Sequence, residues 1–229
     1  MKMRFRLTTV LAFGLATAAW GQQSAPPQAK AADSGPSLAA TMQFIQEKLG
    51  QTGKIAWIET IAKRPGMIIR FPVTPADAMA DPASCSLYTT ATVETTVELP
   101  KGTTLKSGAN ADDLHTQIVE TSTTSFKQIE KITVEKLQDL RNAQYAGAGH
   151  PDLVVDVAPP LFAVKLWAST AVFTGHTTTT KGSQAPVEKD TAEKTSDFVL
   201  PDEETANRVA KAMSHAMELC GGGPKKELF

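Results

Sequence analysis

Apolar residues first recur at helical spacing just before residue 50. Leu38, Met42, Ile45 and Leu49 stand three or four apart, Phe44 widens the stripe, Ser37 occupies an N-cap position and Gly50 closes the run. This predicts an amphipathic helix with one face committed to packing. After Gly53 the period shortens to two. Lys54 to Ile61 and Met67 to Val73 read as strands joined by the turn-like Lys63-Arg64-Pro65-Gly66, and Pro75 to Ser84 reads as a loop. From Cys85 onward, Cys85, Leu87, Ala91 and Val93 alternate with Ser86, Tyr88, Thr92 and Glu94. That is the pattern of an antiparallel strand with one face in the core and one in water.

Pro100 to Asp113 is a long polar turn, and Leu114 to Ser122 suggests another strand. Lys131 to Lys136 reads as a strand and Leu137 to about Tyr145 as a short helix, ended by Gly147. Pro159 to Phe173, apolar apart from Lys165 and two hydroxyl residues, reads as one long strand. Thr174 to Ser196 reads as a polar hairpin loop, and Asp197 to Leu200 as a short return strand. The last helix has the cleanest pattern. Asp202 caps it, and Glu203 and Glu204 sit in its first turn, where the helix dipole favours negative charge. Ala206, Val209, Ala210, Met213, Ala216, Met217 and Cys220 fall on one face, and Gly221 stops the run. Strands joined by turns between two terminal helices predict an α+β fold with antiparallel sheets.

The N-terminus narrows the setting. Lys2, Arg4 and Arg6 precede a mostly apolar run from Leu7 to Trp20, and Ala19 and Gly21 put small residues before a cleavage point. This is the pattern of a secretory signal cut after residue 21. The run is short for a membrane span, which takes about 20 residues. Residues 22–36 are small, polar and rich in Pro and Ala, as in a flexible linker. Residues 37–221 then form one domain and 222–229 a flexible tail. No later segment is apolar enough to span a bilayer, so the expected location is periplasmic or secreted. Loss of three of the 23 basic residues with the signal leaves 20 against 24 acidic ones. With no basic cluster, nucleic acid is excluded as a partner.

In an oxidising compartment the two cysteines, Cys85 and Cys220, both on apolar faces, point to a disulfide joining sheet to helix. Free buried thiols, a reactive thiol and metal ligation are the alternatives. Cys220 sits at a helix C-terminus, where the dipole opposes a thiolate.

The remaining chemistry is sparse. His115, His150, His176 and His215 form no close pair of the metalloprotease kind. His215 belongs to the solvated helix face and His176 to the threonine-rich loop. Asp112 and Asp113 lie near His115, and Asp152 near His150, but turn-forming roles fit both stretches better than metal or catalytic ones. No P-loop, dinucleotide fingerprint or nucleophile elbow is present. No catalytic residue, cofactor or metal is assigned. Trp57, Phe71, Trp167 and Phe173 lie in strand-like runs and are expected as core or half-buried sheet residues, with a ligand groove lined by some of them as an alternative.

Three stretches, "SLAATMQFIQEKL", "ADPASCSL" and "DEETANRVAKAMSHAMELCGGG", resemble a group of uncharacterised exported bacterial proteins. That resemblance implies export and carries no activity. The order of elements also resembles a pleckstrin-homology-like domain, which implies two curved sheets closed by a C-terminal helix. The favoured reading is a non-catalytic exported domain that binds a protein, peptide or small ligand, with its oligomeric state left open. The alternatives are a hydrolase or metal-dependent enzyme using His115 or His150 with the neighbouring Asp residues, and an envelope-structural protein.

Overall fold

A computed structural model describes residues 35–52, 55–103, 114–151 and 153–224. The expected signal and tail end, and Asp112, Asp113 and Asp152, lie outside these residues. The order of elements is α1 (Leu38–Gln51), β1 (Ile55–Ile61), β2 (Ile68–Asp81), β3 (Ser86–Glu98), β4 (His115–Ser125), β5 (Lys131–Lys136), α2 (Leu137–Gly147), β6 (Val155–Ala158), β7 (Phe162–Trp167), β8 (Phe173–Lys181), β9 (Val187–Glu193), β10 (Thr195–Leu200) and α3 (Glu203–Leu219). A single 3-10 turn, Phe126–Gln128, links β4 to β5. The fold is α+β and its strand pairs are antiparallel.

The strands divide into a seven-stranded sheet, β6-β1-β2-β3-β4-β8-β9, and a three-stranded sheet, β10-β7-β5. Neither closes on itself. Helix α3 packs on β5 and β7, and α1 packs on α3 and β2. Their buried faces, Met42, Ile45 and Leu49 on α1 and Ala206, Val209, Met213, Ala216 and Met217 on α3, are the ones expected. With Val164, Leu166 and Leu200 of the small sheet they form one core. A second core joins Ile55, Trp57 and Ile61 of β1, Phe71 of β2, and Leu137 and Leu140 of α2.

Several expectations are corrected. Pro75 to Ser84 is not all loop: β2 runs on to Asp81, with a register irregularity between Pro75 and Ala78. Proline donates no ladder hydrogen bond, so the chain accommodates it at a bulge, and beyond it Gln46 of α1 accepts from the Ala80 N–H at 2.8 Å. Pro159 to Phe173 is not one strand. It bends at the exposed Ser169 and Thr170, so β7 ends in the small sheet and β8 begins in the large one. The polar stretch from Thr174 forms β8 and β9, because threonine is β-branched and favours strands. β6 has no counterpart among the expected strands. Helix α1 passes Gly50 and ends at Gln51, where Thr52 Oγ1 donates to the Leu49 carbonyl.

Cys85 and Cys220 are bridged, with Cα atoms 6.0 Å apart. Gly222 and Gly223, just after the bridge, are held to the body of the fold. Gly222 N–H donates to the Met217 carbonyl and Gly223 N–H to the Ile129 carbonyl, each at 2.8 Å. A Cβ on Gly222 would stand 2.3 Å from the Phe126 carbonyl oxygen, so only glycine lets the chain pass. The bridge holds the end of α3 to the turn before β3, and this latch holds it to the turn after β4. The bridged cysteines lie 135 residues apart, and loop-closure entropy for such a span is worth up to about 5 kcal/mol. Urea unfolding of Cys85→Ser/Cys220→Ser is expected to show a stability loss of about 2–5 kcal/mol with the fold retained in buffer.

Candidate functional site

Register decides what the two sheets show each other. In the large sheet Trp57 pairs with Phe71, Val73 with Val93, and Ala91 with Glu120. These positions share the inner face, because alternate residues on a strand point to the same side. Ile118 and Ser122 of β4 share it with Glu120. From the small sheet, the edge strand β10 brings Asp197, Phe198 and Val199 up to this face, and α2 brings Leu137, Arg141 and Gln144. The space left between them is a cavity of about 460 Å³, within the range of small-molecule sites. Trp57 and Phe71 stack in its wall with ring centroids 5.0 Å apart and planes 11° from parallel. The wall is mostly apolar, with three charged side chains.

The first of these is Arg141, and it is already engaged. Glu59, fully buried on β1, takes its Nε at 2.6 Å and an Nη at 3.5 Å. Arg141 also donates to the Tyr145 hydroxyl at 3.1 Å and to Gln144 at 2.9 Å, and its guanidinium lies over Phe71 and Tyr145 at 5.4 and 5.1 Å. Tyr145 and the Trp57 indole both donate to Glu59 as well, at 3.0 and 3.2 Å. Burial works against the charge of Arg141, but the hydrogen bond and attraction of Glu59 outweigh it and raise its pKa. Arg141 therefore remains cationic beside the cavity.

The other two are Glu120 and Asp197, carboxylates from opposite sheets. Among the described residues neither makes a hydrogen bond or ion pair. Both are exposed by surface area, and both line the cavity. Burial raises the pKa of Asp197 above the ordinary carboxylate range. The charges of Lys165 and Arg141 pull it down, and that of Glu135 pushes it up. Burial also raises Glu120, and the charge of Asp197 adds to it.

A second, shallower groove lies on the large sheet around Tyr88, Thr90, Thr121 and Thr174. His176 and Asp190 pair there across β8 and β9 at 2.7 Å. The hydrogen bond that His176 donates to the Asp190 carboxylate raises the His176 pKa. His176 is thus a strand residue and not a loop residue.

The histidines singled out in the sequence do not meet in the cavity. His115 sits at the start of β4 beside Thr96, with Nδ1 3.3 Å from its hydroxyl. His150 follows α2 in an exposed turn. His215 is half-buried on α3 and reaches the Pro36 carbonyl at 2.9 Å, tying the start of the described chain to the last helix. Among the described residues no group of three or more His, Cys, Asp or Glu could hold a metal ion, and no helix is long and apolar enough to cross a membrane. Trp57, Phe71 and Phe173 are buried as expected, and the first two also line the cavity. Sequence reading passed over Glu59, Glu120, Arg141 and Asp197. The signal for three of them was a charge in step with apolar neighbours: Glu59 with Trp57 and Ile61, Glu120 with Ile118, Asp197 with Val199.

Two outcomes follow from these charges. Arg141→Met leaves Glu59 buried without its cation, and urea unfolding is expected to show a loss of about 3–5 kcal/mol, much of it restored in Glu59→Gln/Arg141→Met. Glu120 and Asp197 have raised folded-state pKa values, so the folded state holds their protons longer than the unfolded one. Their ionisation costs stability that appears as pH rises past the unfolded carboxylate range and persists above the folded values. Glu120→Gln/Asp197→Asn should therefore melt above the parent at neutral pH. That difference should shrink to nothing as pH falls below about 4.

No family model, curated protein or solved structure matches this chain.

Proposed function

We propose that the chain is an exported, non-catalytic binding protein that holds a small, largely apolar molecule between its two sheets. The cavity carries this reading. It has the volume of a drug-sized ligand site, aromatic and aliphatic walls, and a few polar groups converging from β4, β10 and α2. The disulfide supports the export read from the N-terminus. The pleckstrin-homology-like order of elements is compatible with this reading, which does not rest on it.

A small molecule fits better than a peptide added as an extra strand. Of the two edge strands of the large sheet, β6 spans only Val155–Ala158, and β9 carries Glu188, Lys189, Asp190 and Glu193. Charges on an edge strand discourage pairing with another chain.

The test is to fill the cavity. Ala91 lies on its floor, where Ala91→Phe adds a ring to empty space. The variant is expected to fold with an unchanged or higher melting temperature. The parent should enhance the fluorescence of Nile red at one equivalent, and Ala91→Phe should lose most of that enhancement. Equal binding of the dye by both proteins would refute the cavity as the site.

A further inference from the structure

Resting on the cavity reading, we infer that the ligand is an amphipathic amine, an apolar body carrying one protonated nitrogen that seats between Glu120 and Asp197. The two carboxylates come from different sheets, β4 and β10, and open onto the same apolar hollow. Among the described residues neither has a hydrogen-bond partner or an ion pair. Elsewhere some acids are paired, Glu59 with Arg141, Glu98 with Arg70, Asp81 with Ser84 and Asp202 with Thr205, while others on the surface, such as Glu94 and Glu188, have no side-chain partner among the described residues. What sets Glu120 and Asp197 apart is that they open onto one apolar hollow from two sheets.

The surrounding charges favour a cation over an anion. Arg141 is the cation in the cavity wall, and its guanidinium is spent on Glu59, Tyr145 and Gln144. Lys165 lies opposite Asp197 in the β7–β10 register, but its ammonium sits 4.1 Å from the Trp167 ring centre and makes no ion pair with Asp197. Among the described residues that line the cavity, an anionic ligand would find one cation, already bonded to Glu59, and would meet two acids. A protonated amine would find two acceptors, with the stacked Trp57 and Phe71 and the aliphatic wall left for its apolar body. Arg141 and Lys165 also face Asp197 and temper its attraction for a cation, while Glu135 reinforces it.

Three probes of one shape separate the possibilities: phenylbutylamine, phenylbutanol and phenylbutyrate. Each is titrated calorimetrically into the oxidised chain at neutral pH, with displacement of Nile red as a second readout. The amine is expected to bind at least about tenfold more tightly than the alcohol, and the carboxylate most weakly. In Glu120→Gln/Asp197→Asn the amine should fall to the affinity of the alcohol, while the alcohol should bind as it does to the parent. Each single variant should give part of that loss, and thermal melts establish that all of them fold. If alcohol and amine bind alike, or the carboxylate binds best, the amine inference is wrong and the cavity reading stands. An amine preference that survives in the double variant overturns the amine inference in the same way. If none of the three binds and the dye does not distinguish Ala91→Phe from the parent, the cavity reading falls and the amine inference falls with it.

Discussion

One buried charge organises this molecule. Glu59 lies fully buried on β1, in step with Trp57 and Ile61, where an apolar residue would ordinarily stand. A carboxylate in that position must be met by a cation and by donors to its remaining lone pairs. Arg141, Tyr145 and the Trp57 indole supply them. Two of these three come from α2, a short helix between β5 and β6 with no side-chain cap at its start. The charge thus fixes where α2 lies: across Phe71 and the inner face of the large sheet. It also stations the guanidinium at the rim of the cavity, already neutralised.

The cavity follows from two cores that do not merge. One is built on α1, α3 and one face of the small sheet, the other on β1, β6 and α2. Between them the large sheet continues outward through β4 to β8 and β9, beyond the reach of the small sheet's edge. Glu120 and Asp197 stand at that boundary. Filling it with apolar side chains would have removed two unpaired acids, so the hollow is a place where packing has yielded to something else.

Much of the architecture could be read from the sequence where one period dominates. The stripes of α1 and α3, the strand after Cys85 and the change from strand to helix at Leu137 are each set by local pattern, and each element forms where expected, although burial along that strand does not alternate and Ser86 is buried. The two core-facing cysteines could be paired because both lay on apolar faces. Failures came where one rule masked another. Pro75 hid the second half of β2, although a bulge can carry proline within a strand. Polarity hid β8 and β9, although a run of threonine favours extended backbone. Unbroken hydrophobicity hid the bend at Ser169 and Thr170, because a fully buried strand and a passage between sheets look the same in composition. The candidate site was hardest to read. Its acids come from β4 and β10, 77 positions apart, and only tertiary register brings them to one hollow. The histidines that drew notice stayed on separate elements.

The bridge between Cys85 and Cys220 divides the chain covalently. Residues 85–220 form a closed ring, while α1, β1 and β2 are an open arm laid against it. The cavity is a seam between the two. Its stacked aromatics, Trp57 and Phe71, belong to the arm, and Glu120, Arg141 and Asp197 belong to the ring. An occupant touching both walls would act as a removable crosslink, fastening the one part of the fold that the disulfide leaves unthreaded.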